Sequence, residues 1–136
     1  KHNSSGKFEC QFTAVTIQPS SSVMMKGLEG STLGIWAAHG EGKFYLPMEE
    51  SNYQIPAKYH QKPYPANPNG SPAGITGLCN ADGRVTIMMP HPERVIKQNA
   101  FCPALSGTEH IAVGAVSYTH SEPTRLLSIS YAVFCL

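Results

Sequence analysis

The residues with the clearest chemical potential are His91 and Glu93, in the segment MMPHPER. They directly follow residues 85–89, an apolar run that is typical of a buried strand. Pro90 and Pro92 each fix φ near about −65°, which would hold the imidazole rigidly at the end of that strand. A carboxylate close to a histidine can orient its ring and stabilise the imidazolium form, as in nucleophilic triads. The same residues also fit an ordinary polar turn.

A second polar segment is His39-Gly40-Glu41-Gly42, which follows the apolar residues 33–38. Its glycines would let the backbone approach a ligand or a neighbouring loop closely. This segment therefore predicts either a loop that lines the same site as His91 or a tight turn with exposed side chains.

A third polar segment is YPANPNGSPAGI, which contains Asn67, Asn69, Gly70 and Ser71. Side chains of this kind can satisfy nearby backbone groups in Asx turns. They can equally direct hydrogen-bond donors at a substrate amide, and the local sequence leaves both interpretations open.

The elements that must position these residues are mostly strands. Alternation and β-branched residues predict strands over residues 8–17, 33–38, 43–46, 57–60, 75–79 and 85–89. Residues 23–28 predict a short helix, and Asn80-Ala81-Asp82-Gly83 predicts a hairpin turn. No long amphipathic helix is visible, although a parallel sheet needs crossover helices. The pattern indicates part of a domain.

Composition excludes several function classes. The 136 residues include 10 Lys+Arg and 9 Asp+Glu, so a net charge of +1 gives no reason to expect nucleic acid or a membrane surface as partner. No apolar run reaches the length of a membrane span. The four cysteines include no C-x-x-C pair, and we predict no metal. A zinc site of His39, His60, His91 and Glu93 is conceivable, but these residues lack ligand spacing.

Three motifs together resemble a known family. LGIWAAHGEGKF, YPANPNGSPAGITG and VTIMMPHPERV, in this order, are similar to the C-terminal part of the phosphoribosylformylglycinamidine synthase family. The large fused form fits better than the stand-alone glutaminase subunit. The resemblance implies an α/β, class I glutamine amidotransferase-like (flavodoxin-like) fold with a mostly parallel sheet. This chain would be a strand-rich, incomplete C-terminal portion of that fold.

The resemblance also implies chemistry. His91 would be the general base and Glu93 its orienting carboxylate in a Cys-His-Glu triad that releases ammonia from glutamine. We assign substrate binding to six residues: His39, Gly40, Asn67, Asn69, Gly70 and Ser71. The parent enzyme would be a cytoplasmic ATP-dependent carbon–nitrogen ligase of de novo purine synthesis. Its synthetase domain, with ATP and Mg²⁺, would use the ammonia to convert formylglycinamide ribonucleotide to formylglycinamidine ribonucleotide. This segment itself would hold no cofactor.

The nucleophile is expected upstream of Lys1, because the family carries it in a G-V-C-N-G-C turn. Cys79 in GLCNA resembles that turn, but a nucleophile elbow leads into a helix and this segment leads into a strand. Cys10 lies in mid-strand. We therefore expect the chain alone not to hydrolyse glutamine. A non-catalytic binding or assembly module is the alternative, made less attractive by the intact His-Pro-Glu turn.

Three regions are predicted along the chain. Residues 1–95 would form the partial amidotransferase domain. Residues 96–115 have no clear period and resemble no motif that we recognise, and we expect either genuine coding sequence or a frameshifted stretch there. Residues 116–136, VSYTHSEPTRLLSISYAVFCL, resemble the conceptual translation of a transposase-type sequencing adaptor, and we predict that they were never selected to fold. Otherwise YAVFCL would predict a terminal strand.

Overall fold

The structure, a computed structural model, describes residues 1–94 and 132–135. These residues form two three-stranded sheets, and they contain short 3₁₀ turns but no α-helix. The strands are β1 (Glu9–Ile17), β2 (Thr32–His39), β3 (Ala57–Tyr59), β4 (Gly77–Cys79), β5 (Val85–Met88) and β6 (Ala132–Cys135). The 3₁₀ turns span Val23–Met25, Glu50–Asn52, Pro72–Gly74 and Pro92–Arg94.

The first sheet has the order β2-β1-β3, and both pairings are antiparallel. Val15 in β1 lies opposite Leu33 in β2 and Tyr59 in β3. Alternation along β1 sends Thr13, Val15 and Ile17 to the buried face, as the sequence predicts.

The core lies against this buried face. Its members are apolar residues from both sheets and from the turn after β1: Val15, Ile17, Met25, Leu33, Ile35, Ala57, Tyr59 and Met88. Each large apolar side chain buried in this way contributes about 1.5–3 kcal/mol. Because Met88 belongs to β5, the core fixes the strand that leads to His91.

The second sheet has the order β4-β5-β6. The predicted hairpin turn joins β4 to β5, which pair antiparallel with Gly77 opposite Met88. Gly83 has φ +73°, and a Cβ at this position would overlap the carbonyl oxygen of Ser21. Glycine is therefore required here by both backbone conformation and space. β6 pairs parallel to β5.

The expectation of a mostly parallel sheet is wrong for the described residues, where only the β5–β6 pairing is parallel. For β4 and β5 the reason is the tight turn that joins them, which allows only antiparallel pairing. The predicted strand over residues 43–46 is also absent. There the N–H of Lys43 bonds to the carbonyl of Lys1, and the N–H of Phe44 bonds to the Ser71 hydroxyl.

The short helix predicted over residues 23–28 shrinks to a 3₁₀ turn, because Lys26 is extended and Gly27 has φ +84°. The expectation for residues 96–115 lies outside the described residues, and so does most of the expectation for residues 116–136. Residues 132–135 form β6, where YAVFCL would predict a terminal strand, and the adaptor origin of residues 116–136 stays a prediction. Within residues 1–94 and 132–135, no helix is long and apolar enough to cross a membrane.

Candidate active site

His91 is fixed at the point where β5 ends. Its N–H donates to the carbonyl oxygen of Trp36 in β2 at 2.7 Å, and the two residues form an isolated antiparallel bridge. Pro90 is buried before it, and the N–H of Arg94 donates back to the His91 carbonyl at 3.2 Å. The two prolines thus end the strand in a turn that is attached to the first sheet.

The side chains of His91 and Glu93 form the predicted pair. His91 Nδ1 lies 2.7 Å from Glu93 Oε1, with the imidazole 13% exposed and the carboxylate 46% exposed. With the carboxylate ionised, Nδ1 carries the proton that it donates, which leaves the lone pair of the neutral ring on Nε2. This arrangement suits a general base that takes a proton at Nε2 while the carboxylate stabilises the imidazolium.

The His39 ring stacks on the His91 ring. Their centroids are 4.7 Å apart and their planes differ by 13°. His39 is the last residue of β2 and is 6% exposed. The second predicted segment therefore meets the first, as expected for loops that serve one site.

Asn3 holds the His39–Gly42 loop in place. Its Nδ2 donates to the His39 carbonyl at 2.5 Å, its Oδ1 accepts the Gly42 N–H at 3.0 Å, and its own N–H donates to the Gly40 carbonyl at 3.1 Å. A buried carboxamide with these bonds fixes the loop backbone rather than leaving it to solvent.

Asn69 is fully buried and bonded inside the protein. The Tyr59 hydroxyl donates to its Oδ1, and its Nδ2 donates to Asn3 Oδ1 at 2.9 Å. Burial raises the pKa of Tyr59, so the hydroxyl stays protonated and keeps donating. A Cβ on Gly42 would overlap the Asn69 carboxamide, and this explains one glycine of the loop.

Asn67 and Ser71 brace each other. Asn67 Nδ2 donates to the Ser71 carbonyl at 3.0 Å, and the Ser71 N–H donates to Asn67 Oδ1 at 3.1 Å. Gly70 between them has φ +67°, and a Cβ there would overlap the Ser4 side chain. The Asx-turn interpretation thus accounts for these two side chains, and their direct contact with substrate stays a prediction.

Asn3 and Tyr59 were missed by sequence reasoning. Each contacts the site through a partner that is distant in sequence, Asn69 for Tyr59 and both His39 and Asn69 for Asn3. No local periodicity or motif signals such a contact.

Two free cysteines, Cys10 and Cys79, lie within residues 1–94, and neither is adjacent to His91 in the sheets. Cys79 lies opposite Thr86, at the hairpin end of β5, whereas His91 follows the other end. Cys10 lies on β1, and β2 separates that strand from the His91 bridge. Among the described residues no three His, Cys, Asp or Glu side chains could hold a metal ion together.

Comparison with known proteins places this geometry in context. Residues 1–112 match the family of CobB/CobQ-like glutamine amidotransferase domains. The probable chloroplastic/mitochondrial phosphoribosylformylglycinamidine synthase of Arabidopsis thaliana is 52% identical over 105 residues, covering 68% of this chain and 8% of that protein. The Homo sapiens phosphoribosylformylglycinamidine synthase is 39% identical over 109 residues, covering 71% of this chain and 8% of that protein.

A solved structure is also similar. A chain in the structure of PurLQS from Thermotoga maritima superposes with a TM-score of 0.64 at 28% sequence identity, covering 87% of this chain and 48% of that chain. The present chain spans 8% of the curated relatives' length.

Proposed function

This chain belongs to the family of CobB/CobQ-like glutamine amidotransferase domains, and we propose that it contributes the catalytic base to the glutaminase site of a phosphoribosylformylglycinamidine synthase. The observation that carries the proposal is the 2.7 Å contact between His91 Nδ1 and Glu93 Oε1 on a turn joined to β2. The synthases that resemble this chain at 39–52% identity support the assignment.

We propose the following chemistry. His91 Nε2 takes the proton of a cysteine thiol, and the thiolate attacks the carboxamide carbon of glutamine. The C–N bond breaks as the imidazolium returns the proton to the departing ammonia, leaving a glutamyl thioester. Water, deprotonated by the same ring, then hydrolyses the thioester. Glu93 keeps the proton on Nδ1 throughout and stabilises the charged ring.

The nucleophile in this proposal is neither Cys10 nor Cys79. Both lie on strand positions away from His91, and the sulfur of Cys79 contacts the Ser21 hydroxyl at 3.7 Å. We propose that the thiol comes from another segment of the domain, as the family resemblance implies, and in that case residues 1–136 alone would not turn over glutamine.

The fold of the complete domain is proposed to be the class I, flavodoxin-like α/β type. The likeness to PurLQS supports this, with the two small sheets of residues 1–94 and 132–135 forming a strand-rich part of that domain. Internal hydrogen bonds support a role in shaping the site for Asn67, Asn69, Gly70 and Ser71, in addition to any contact with glutamine.

The ammonia would be consumed at a synthetase site elsewhere in the protein. There ATP and Mg²⁺ would activate the formyl amide of formylglycinamide ribonucleotide for amination. We place this enzyme in the cytoplasm, whereas the Arabidopsis thaliana relative is named chloroplastic/mitochondrial. PurLQS supports a synthetase partner for this domain.

The test is a substitution in the complete synthase. His91→Ala should lower glutamine-dependent synthesis on the order of 10²–10⁴-fold while synthesis from added ammonium salt persists. Cys79→Ala is the matched control and should keep both activities. Full glutamine-dependent activity in His91→Ala would refute the proposal and favour a non-catalytic module. Loss of glutamine-dependent synthesis in Cys79→Ala, with synthesis from ammonium salt retained, would instead identify that thiol as the nucleophile.

A further inference from the structure

We propose that His39 is a positioning residue for His91: its buried ring fixes the plane of the base through face-to-face stacking. This inference rests on the proposed function, because it assigns the second histidine a role in that same glutaminase site. It also replaces direct substrate contact as the main role expected for His39.

A general base such as His91 needs a fixed ring plane. Its main chain is fixed by the bridge to Trp36, and its Nδ1 is fixed by Glu93 at 2.7 Å. A single hydrogen bond at one ring atom leaves the ring free to tilt about that contact. A parallel ring at 4.7 Å with planes 13° apart removes this freedom, because tilting would bring the two rings into overlap.

His39 is itself held rigidly. It is 6% exposed and closes β2, with Glu9 opposite it in β1. The Asn3 carboxamide donates to its carbonyl at 2.5 Å. A side chain on a strand, buried and held at its backbone from two directions, is a firm support for a neighbouring ring.

The burial of His39 favours a positioning role over contact with substrate. One face of the His39 ring is covered by His91, and the ring is more deeply buried than the base that must reach the substrate. A group in this place acts on the geometry of proton transfer. Its loss should lower kcat, whereas the loss of a substrate contact should raise KM for glutamine.

The experiment compares His39→Leu, His39→Phe and His91→Ala in the complete synthase. Leucine keeps apolar bulk without a planar face, and phenylalanine restores a planar ring. We expect His39→Leu to lower kcat for glutamine hydrolysis on the order of 10²-fold, as misplacement of a catalytic group does. KM should stay the same, ammonia-supported synthesis should persist, and His39→Phe should recover most of the lost kcat.

The outcomes separate the two proposals. Inactivity of His91→Ala together with wild-type kcat in His39→Leu would overturn the positioning role alone. A raised KM at unchanged kcat would overturn it in favour of substrate contact. Equal loss in His39→Leu and His39→Phe would also overturn it, because stacking would then not be what the ring supplies. Activity in His91→Ala would overturn the proposed function itself.

Discussion

The N–H of His91 donates to the carbonyl oxygen of Trp36 at 2.7 Å, and this one bond attaches the turn after β5 to the middle of β2. Trp36 also faces Phe12 across the β1–β2 pair, with ring centroids 5.3 Å apart. The position of the candidate base therefore depends on the first sheet as well as on its own strand. Substitutions that weaken the bonds holding the His39–Gly42 loop should therefore also shift the position of His91.

Loss of the buried Asn69 carboxamide should destabilise the domain. Asn69→Ala removes the acceptor of the Tyr59 hydroxyl and the donor to Asn3, leaving two buried polar groups without these bonds. The expected cost is about 1–3 kcal/mol in free energy of unfolding. Calorimetry of the complete synthase should show the amidotransferase transition at lower temperature.

Asn52→Ala is the matched control for that substitution. Asn52 is exposed and makes only local bonds to Glu49, so its loss should change the free energy of unfolding by less than about 0.5 kcal/mol. Equal shifts for the two alanine variants would show that the buried Asn3–Asn69–Tyr59 network does not stabilise the domain.

Substitution of the hairpin glycine Gly83 should destabilise the domain for two separable reasons. Gly83→Ala imposes φ near +73° on a residue with a Cβ and overlaps the Ser21 carbonyl, whereas Gly6→Ala imposes a similar φ with open space around it. The φ term alone costs about 1–2 kcal/mol. Gly83→Ala should therefore lower the unfolding temperature clearly more than Gly6→Ala. Similar shifts for the two variants would remove the steric argument.

Alkaline pH should destabilise the domain partly through Tyr59. Burial raises the pKa of Tyr59 above its ordinary value of 10.0, so the folded state keeps a proton that the unfolded state has lost. This contribution is complete below pH about 10 and decreases as pH rises further. Between pH 9 and pH 11 the Tyr59→Phe variant should therefore lose less free energy of unfolding than wild type does. The difference should be about 1 kcal/mol for each pH unit above 10.

Tyr64→Phe is the control for the alkaline effect, because Tyr64 is 65% exposed. Thermal unfolding at matched pH values measures both variants. An alkaline slope in Tyr59→Phe equal to that of wild type would mean that the buried hydroxyl is not the titrating group.

Much of the scaffold could be predicted from the sequence because its signals are local. Alternation over residues 8–17 predicts β1, and the apolar residues 33–38 predict the core of β2. The Asp-Gly turn likewise fixes the β4–β5 hairpin. The His91–Glu93 contact was also predictable, since the two residues are neighbours on a proline-fixed turn.

Other features could not be predicted, because they depend on distant partners. Asn3 and Asn69 are 66 residues apart in the sequence, and their contact has no sequence period. The strand predicted over residues 43–46 fails for the same reason, as Phe44 bonds to Ser71 instead of to a strand. Strand direction was also mispredicted, because the parallel order came from the resemblance and only the β4–β5 hairpin turn carries a local signal of direction.

The central claim is that His91 activates a thiol, and the pH dependence of alkylation of that thiol tests it most directly. In the complete synthase, iodoacetamide labelling of each cysteine can be followed by peptide mass spectrometry, in a background with Cys10→Ala and Cys79→Ala. An imidazolium partner lowers a thiol pKa well below the usual value of about 8.5. We expect one cysteine to react with such a lowered pKa in wild type and to return to about 8.5 in His91→Ala. An unchanged profile for every cysteine in His91→Ala would contradict the account.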